Sequence, residues 1–242
     1  MTEPTIRYTS QGGVATITLN RPESRNALNL AMCEELRAAA ERAAADPEVR
    51  LVLVRANGPV FCAGADLKER QGMSEAQVRE RRMKAFAAYA AIEALPMPAI
   101  AVAEGPVVGS GCEIACACDF IVATQAASFR APEAIRGTVG ATQRLPRILG
   151  KRLAKDMLFT GRTLAADEAE RHGLVSRLVE TATLDAVLAE IARTIVQAPA
   201  QALRLAKRCV DRGVELDPKG ALETEIAAIE EQLASGAWMG KA

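Results

Sequence analysis

Short apolar runs, each closed by Gly, Asn or Pro, alternate with long alanine-rich helical stretches over the first 130 or so residues, and this alternation restricts the chain to an α/β architecture. Residues 5–10 and 14–20 are rich in β-branched side chains and are joined by Gln11-Gly12-Gly13, the pattern of a hairpin. Asn29 caps a predicted helix ending at Ala45, with Leu30, Cys33, Leu36, Ala40 and Ala43 on one face; Asp46-Pro47 closes it. Leu51–Ala56 reads as a buried strand, broken by Asn57-Gly58-Pro59. Residues 73–95 read as a long helix stopped by Pro96 and Pro98. Ala99–Ala103 is a further strand, and the glycine-rich segment from Gly105 to Gly111 opens a helix to about Cys118. Residues 120–123 and Ser128–Arg130 are two more short strands. From Thr142 the pattern is helical only, at roughly 142–149, 151–159, 165–172, 183–197, 200–213 and 218–234. The expectation is an α/β core over residues 1–180 and a helical C-terminal region over residues 181–242.

Half of the 242 residues are hydrophobic but only 3% are aromatic, so the core must be built from Ala, Val, Leu and Ile. Thirty basic residues balance thirty acidic ones, which gives no support to nucleic-acid binding. The six cysteines include no C-x-x-C pair, so they read as small core residues in a reducing compartment rather than as zinc or redox ligands. The first eleven residues are polar, and no run of about 18 apolar residues occurs, so neither a signal peptide nor a membrane span is expected. A cytoplasmic location is the expectation. His172, the only histidine, has no G-x-S-x-G partner motif and reads as structural, near a helix end.

The segment Phe61-Cys62-Ala63-Gly64-Ala65-Asp66-Leu67-Lys68 follows a strand, and its small residues let backbone approach a ligand; an ordinary strand-to-helix turn is the plainer alternative. Gly105-Pro106-Val107-Val108-Gly109-Ser110-Gly111 opens a helix, where amides stabilise negative charge. It is neither G-x-G-x-x-G nor a P-loop, so a nucleotide-phosphate site fits poorly. Glu113 stands at the edge of the apolar run Ile114-Ala115-Cys116-Ala117-Cys118, where burial is expensive unless the carboxylate is paired or functional; a solvent-facing first-turn acid is the alternative. Glu133, after Pro132, would by itself be a loop acid.

Taken together, these segments resemble the enoyl-CoA hydratase/isomerase (crotonase) superfamily from about Thr5 to Val179. Leu19-Asn20-Arg21-Pro22 with Asn26-Ala27-Leu28 is similar to the family's first CoA-contacting loop. Residues 61–68 resemble its F-x-A-G-A-D-[LI]-K oxyanion segment, and residues 105–119 its second oxyanion loop and helix, with Glu113 and Glu133 matching its two catalytic glutamates. Thr142-Gln143-Arg144-Leu145-Pro146 and Ala169-Glu170-x-x-Gly173-Leu174-Val175 resemble later family signatures. The resemblance implies a spiral of ββα turns with a helical C-terminal region, assembled as homotrimers or homohexamers. It implies an oxyanion hole from the amides of Ala65 and Ser110, and CoA beside Ser24, Arg25, Ala27, Ala63, Asp66 and Leu67.

Two departures stand out. The stretch Gly137-Thr138-Val139-Gly140-Ala141-Thr142 is roughly three residues shorter than in many hydratases of the family, where it helps to line the acyl pocket. The ending Trp238-Met239-Gly240-Lys241-Ala242 does not follow F-x-x-K-R-x-P. The resemblance implies syn hydration of a 2-enoyl-CoA without a metal or redox cofactor, Glu133 handling the C2 proton and Glu113 activating water. Alternatives on the same scaffold are Δ3-Δ2 enoyl-CoA isomerisation or other acyl-CoA enolate chemistry. An RNA-binding or scaffold role is a further alternative, disfavoured by the neutral charge.

Overall fold

A computed structural model describes residues 3–236. The predicted hairpin forms from β1 (Ile6–Gln11) and β2 (Val14–Leu19), antiparallel with Gln11 opposite Val14. Helix α1 (Leu30–Ala45) starts at Asn29, whose side chain accepts from the Met32 amide; Met32 joins Cys33, Leu36, Ala40 and Ala43 on the buried face, while Leu30 is only half-buried. Strand β3 (Leu51–Ala56) and strand β4 (Ala99–Ala103) flank α2 (Glu75–Glu93) in sequence. Ser74 and Gln77 form a reciprocal capping box at the start of α2.

The next strands come in pairs. β4 runs into β5 (Pro106–Val108) and β6 (Phe120–Thr124) into β7 (Ser128–Arg130). In each pair the first strand joins a large sheet and the second a small one, which is the ββα spiral. The large sheet has the order β1-β2-β3-β4-β6-β9, parallel except for β1 with β2; the small one has the order β5-β7-β8. Both faces of the central strands β3 and β4 are covered, which explains why they read as apolar runs rather than alternating ones. Val52, Val54, Ala101 and Ala103 face the main core with α1, whereas Leu51, Leu53, Ile100, Val102 and Val122 face α6 (Leu184–Gln197) through Leu184, Leu188 and Ile191. At the β4–β5 corner only glycine fits: a Cβ on Gly105 would lie 2.1 Å from the Pro59 carbonyl oxygen.

The expectation of helices alone after Thr142 is corrected. Strands β8 (Thr163–Ala165) and β9 (Arg177–Val179) lie there, β8 antiparallel to β7 and β9 parallel to β6. Each has three residues, too few to display a period of two, so helical composition on either side masks them. The two helices expected at 142–149 and 151–159 are the two halves of α4 (Arg144–Thr160), separated at Gly150, whose φ of 72° and ψ of 160° are not helical. Helix α3 (Ser110–Cys116) is short, and α5 (Ala166–Arg171) ends at His172. Helices α7 (Ala200–Gly213) and α8 (Pro218–Ala234) pack on one another, and Lys207 ties α7 to the spiral through Asp119 at 2.9 Å. The unusual C-terminal pentapeptide lies outside the described residues. No helix among the described residues is long and apolar enough to cross a membrane.

Candidate active site

Two loops that are distant in sequence are zipped together by short bridges. Cys62 pairs with Val107, the Val108 amide donating to the Cys62 carbonyl at 2.8 Å. Leu28 pairs with Ala65 on the other side, its amide donating to the Gly64 carbonyl at 2.8 Å. A node at Asn26 fixes the outer loop: its side chain accepts from the Arg21 amide and donates to the carbonyls of Asn57 and Val60, each at 2.8 Å. The result sets Gly64 against the start of α3, so that a Cβ on Gly64 would sit 3.9 Å from the Ser110 nitrogen. Neither the Ala65 amide nor the Ser110 amide donates to an acceptor among the described residues. Ser110 is the first residue of its helix, where an N–H has no intrahelical partner.

Ala65 and Ser110 both line a cavity of about 400 Å³, together with Glu113, Glu133, Tyr89 and Phe86. The shortened stretch contributes Thr138, Val139 and Gly140 to its wall. Of the residues expected to hold CoA, Ala63 and Leu67 line the cavity, while Ser24, Arg25, Ala27 and Asp66 are not part of its lining. Three of these four are gathered by Arg21, which donates to the Ala27 carbonyl, pairs with Asp66 at 3.1 Å and reaches Ser24 Oγ at 3.4 Å. The Arg25 carbonyl accepts from the Ala63 amide at 3.0 Å.

The two glutamates occupy different electrostatic settings. Glu113 is buried, yet each of its oxygens has a partner: Oε1 accepts from the Ala141 amide at 2.8 Å, and Oε2 pairs with Arg144 Nη1 at 2.8 Å. Arg144 in turn pairs with Glu93 at 2.6 Å and lies over the Tyr89 ring. Glu133 has no such support. Its Oε2 is buried without a hydrogen-bond partner. Burial pushes its carboxyl above the usual range and the charge of Glu113 adds to this, against opposing pulls from its own backbone amide, Arg136 and Arg82. Glu133 Oε1 also packs on Gly109, where φ is +54° and an added Cβ would lie 2.7 Å away. Only glycine satisfies that backbone and that contact together.

The cysteines take no part in this constellation as nucleophiles. Burial raises the thiol of Cys33 to about 11 and those of Cys62 and Cys116 to about 12. The sequence motifs did not single out the Arg144 clamp, the Ala141 amide or Tyr89 as parts of the site. Arg144 lay inside a recognised signature, but its partner is 31 residues away, a pairing that one sequence does not display.

The model of the family described as enoyl-CoA hydratase/isomerase matches residues 9–237. A probable mitochondrial enoyl-CoA hydratase 2 of Arabidopsis thaliana is 38% identical over 220 residues, covering 89% of this chain and 73% of that one. An enoyl-CoA isomerase/hydratase of Mycosarcoma maydis is 36% identical over 92% of this chain and 86% of its own length. Among solved structures, an enoyl-CoA hydratase from Bacillus anthracis superposes with a TM-score of 0.90 at 37% identity, covering 93% of this chain and 90% of that one.

The raised affinity of Glu133 for its proton has a consequence for stability. In the window from its ordinary value of 4.5 up to the raised one, the folded chain holds a proton that the unfolded chain has released. The cost of charging this buried group is therefore absent at low pH and grows as pH rises through that window. Glu133→Gln removes the cost, so the variant should melt above the wild type at neutral pH, with the gain shrinking toward pH 4.5. A difference in Tm that stays constant with pH would show that this carboxyl is not shifted.

Proposed function

The chain belongs to the enoyl-CoA hydratase/isomerase family, and from that premise and the geometry of its site we propose that it hydrates a 2-enoyl-CoA thioester. The observation that carries the reading is the pair of carboxyl groups in unlike settings on one cavity, next to two amides without acceptors. Water addition to a conjugated thioester moves charge onto the thioester oxygen. The amides of Ala65 and Ser110 are the donors for that oxygen, each contributing roughly 3 kcal/mol to the transition state, as measured oxyanion donors do. The clamp of Arg144 and the Ala141 amide fixes the orientation of Glu113, and each of its oxygens retains a second lone pair for a water. Glu113 takes a proton from that water as hydroxyl adds at C3, and Glu133, whose carboxyl is held above the usual range by burial, is the group that delivers a proton to C2. Return of a proton from Glu113 to Glu133 resets the pair. These steps draw on the chain's own groups and the thioester, with no metal or redox cofactor in the scheme.

A second reading is Δ3-Δ2 isomerisation, in which one carboxyl moves a proton from C2 to C4 and no water adds. The occupancy of both Glu113 oxygens favours it, because Glu133 is then the carboxyl with an unengaged oxygen.

Glu113→Gln and Glu133→Gln separate the two. Hydration needs both groups, so each variant should lower kcat by at least about 100-fold, followed as loss of the conjugated-thioester absorbance of crotonyl-CoA. The double variant should be little worse than the poorer single, since the pair acts as a unit. A Glu113→Gln enzyme that keeps most of its activity while Glu133→Gln is inactive would move the assignment to the isomerase.

We further infer a homotrimeric or homohexameric assembly, supported by the exposed Val210, Val214, Leu222, Ile226, Ile229 and Leu233 on α7, α8 and the turn between them. Sedimentation at micromolar concentration should give three or six chain masses; a single-chain species would rule this out.

A further inference from the structure

The cavity wall carries guanidinium groups that no ion pair among the described residues neutralises. Arg70, Arg82 and Arg136 all line it, and none forms an ion pair among the described residues. Arg81, by contrast, is buried and paired with Glu69 at 2.7 Å. Of the acids on the same wall, Glu113 is held by Arg144, and Glu133, whose ionisation burial disfavours, forms no ion pair among the described residues. A side chain as long as arginine usually finds a carboxylate or turns to water. Here Arg82 instead reaches across the cavity from α2 to Thr138 Oγ1 in the shortened stretch. The Thr138 amide donates to the Glu133 carbonyl at 2.9 Å, and the Arg136 amide donates to the same oxygen at 3.1 Å. Arg82 and Arg136 thus flank the loop that presents Glu133.

Their distance from the amides sets the scale of a ligand. On α2, Tyr89 faces the Ser110 side chain, and Ala85, Phe86 and Arg82 follow it toward the helix N-terminus, all lining the cavity. Seven residues separate Tyr89 from Arg82, about 10 Å along the axis. An extended short acyl chain and the length of an arginine side chain together span that interval, with Ala85, Phe86 and Val139 as apolar wall between.

Resting on the acyl-CoA reading above, we propose that Arg82 and Arg136 form an anion subsite for the far end of the acyl chain, so that the preferred substrates are short acyl-CoA thioesters bearing a terminal carboxylate. Guanidinium groups suit this task because they stay charged and bind carboxylates through parallel donors. Placement beside solvent limits the desolvation of the incoming carboxylate. The CoA phosphates are a second source of negative charge for the same arginines, and the test separates the two.

The probes are glutaryl-CoA and pentanoyl-CoA, of equal chain length and both saturated, so neither is hydrated or isomerised and binding is read independently of the reaction. Calorimetry should give the wild type at least about a tenfold preference for glutaryl-CoA, the scale of one charge-assisted contact. The preference should persist between glutaryl- and pentanoyl-pantetheine, which lack the nucleotide phosphates. It should collapse several-fold in Arg82→Met and in Arg136→Met, and fall less in Arg82→Lys, which keeps the charge but not the parallel donors. The ratio within each variant is the readout, so a general loss of affinity does not mimic the effect. Equal binding of the two CoA thioesters by the wild type overturns the inference and leaves the acyl-CoA reading intact. So does a loss confined to the CoA thioesters and equal for both, which would assign the arginines to CoA phosphates. A protein that binds neither thioester sinks the acyl-CoA reading and this inference with it.

Discussion

The ion pair between Glu113 and Arg144 is the interaction on which the site depends. A carboxylate buried in a seven-residue helix is unstable unless every charge and lone pair nearby is answered. Arg144 answers one oxygen of Glu113 and the Ala141 amide the other, while Glu93 on α2 shares the guanidinium. Three helices, α2, α3 and α4, therefore meet at one cation. The Tyr89 ring beneath Arg144 closes the cluster from the α2 side. Removing Arg144 would leave a buried carboxylate with the Ala141 amide alone, whereas removing an exposed pair such as Arg37 with Glu41 would cost almost nothing.

The same arrangement defines Glu133 by contrast. Held against Gly109 with one oxygen unpartnered, and within the field of Glu113, it is the carboxyl whose proton affinity is raised. Unlike settings for two like groups are what a paired acid–base step requires. The shortened stretch contributes directly. Ala141 is a non-glycine residue at φ +54°, a conformation that costs about 1–3 kcal/mol, and in that conformation its amide points at Glu113. The tight path from Gly137 to Ala141 thus sets the amide that fixes Glu113 and also supplies Thr138, Val139 and Gly140 to the cavity wall.

Much of this was legible in the amino-acid order, for physical reasons that differ from element to element. β3 and β4 were bounded correctly because each is a continuous apolar run with Asn, Gly or Pro at its end. The hairpin was set by Gln11-Gly12-Gly13, with both glycines at positive φ. The kink at Gly150 was visible as a gap between two helical patterns. β8 and β9 were hidden because three residues do not make a pattern, and it is their pairing with β7 and β6 that makes them strands. Glu113 and Glu133 were found through motifs, but their opposite electrostatic settings were not, since these come from contacts made across 28 and 31 residues. The unpaired arginines were equally invisible, because a balanced total charge conceals a local imbalance.

The central claim is that burial beside an ion-paired Glu113 leaves Glu133 protonated where an ordinary glutamate has ionised. Titrating the chain with 13C-labelled glutamate carboxyl groups, followed by NMR, addresses it directly. The account predicts one carboxyl resonance titrating above 4.5, the ordinary glutamate value, that is absent from Glu133→Gln and persists with a smaller shift in Glu113→Gln, where the neighbouring negative charge is gone. A spectrum in which no glutamate titrates above that value, or in which the shifted resonance vanishes with Glu113→Gln instead, would contradict it.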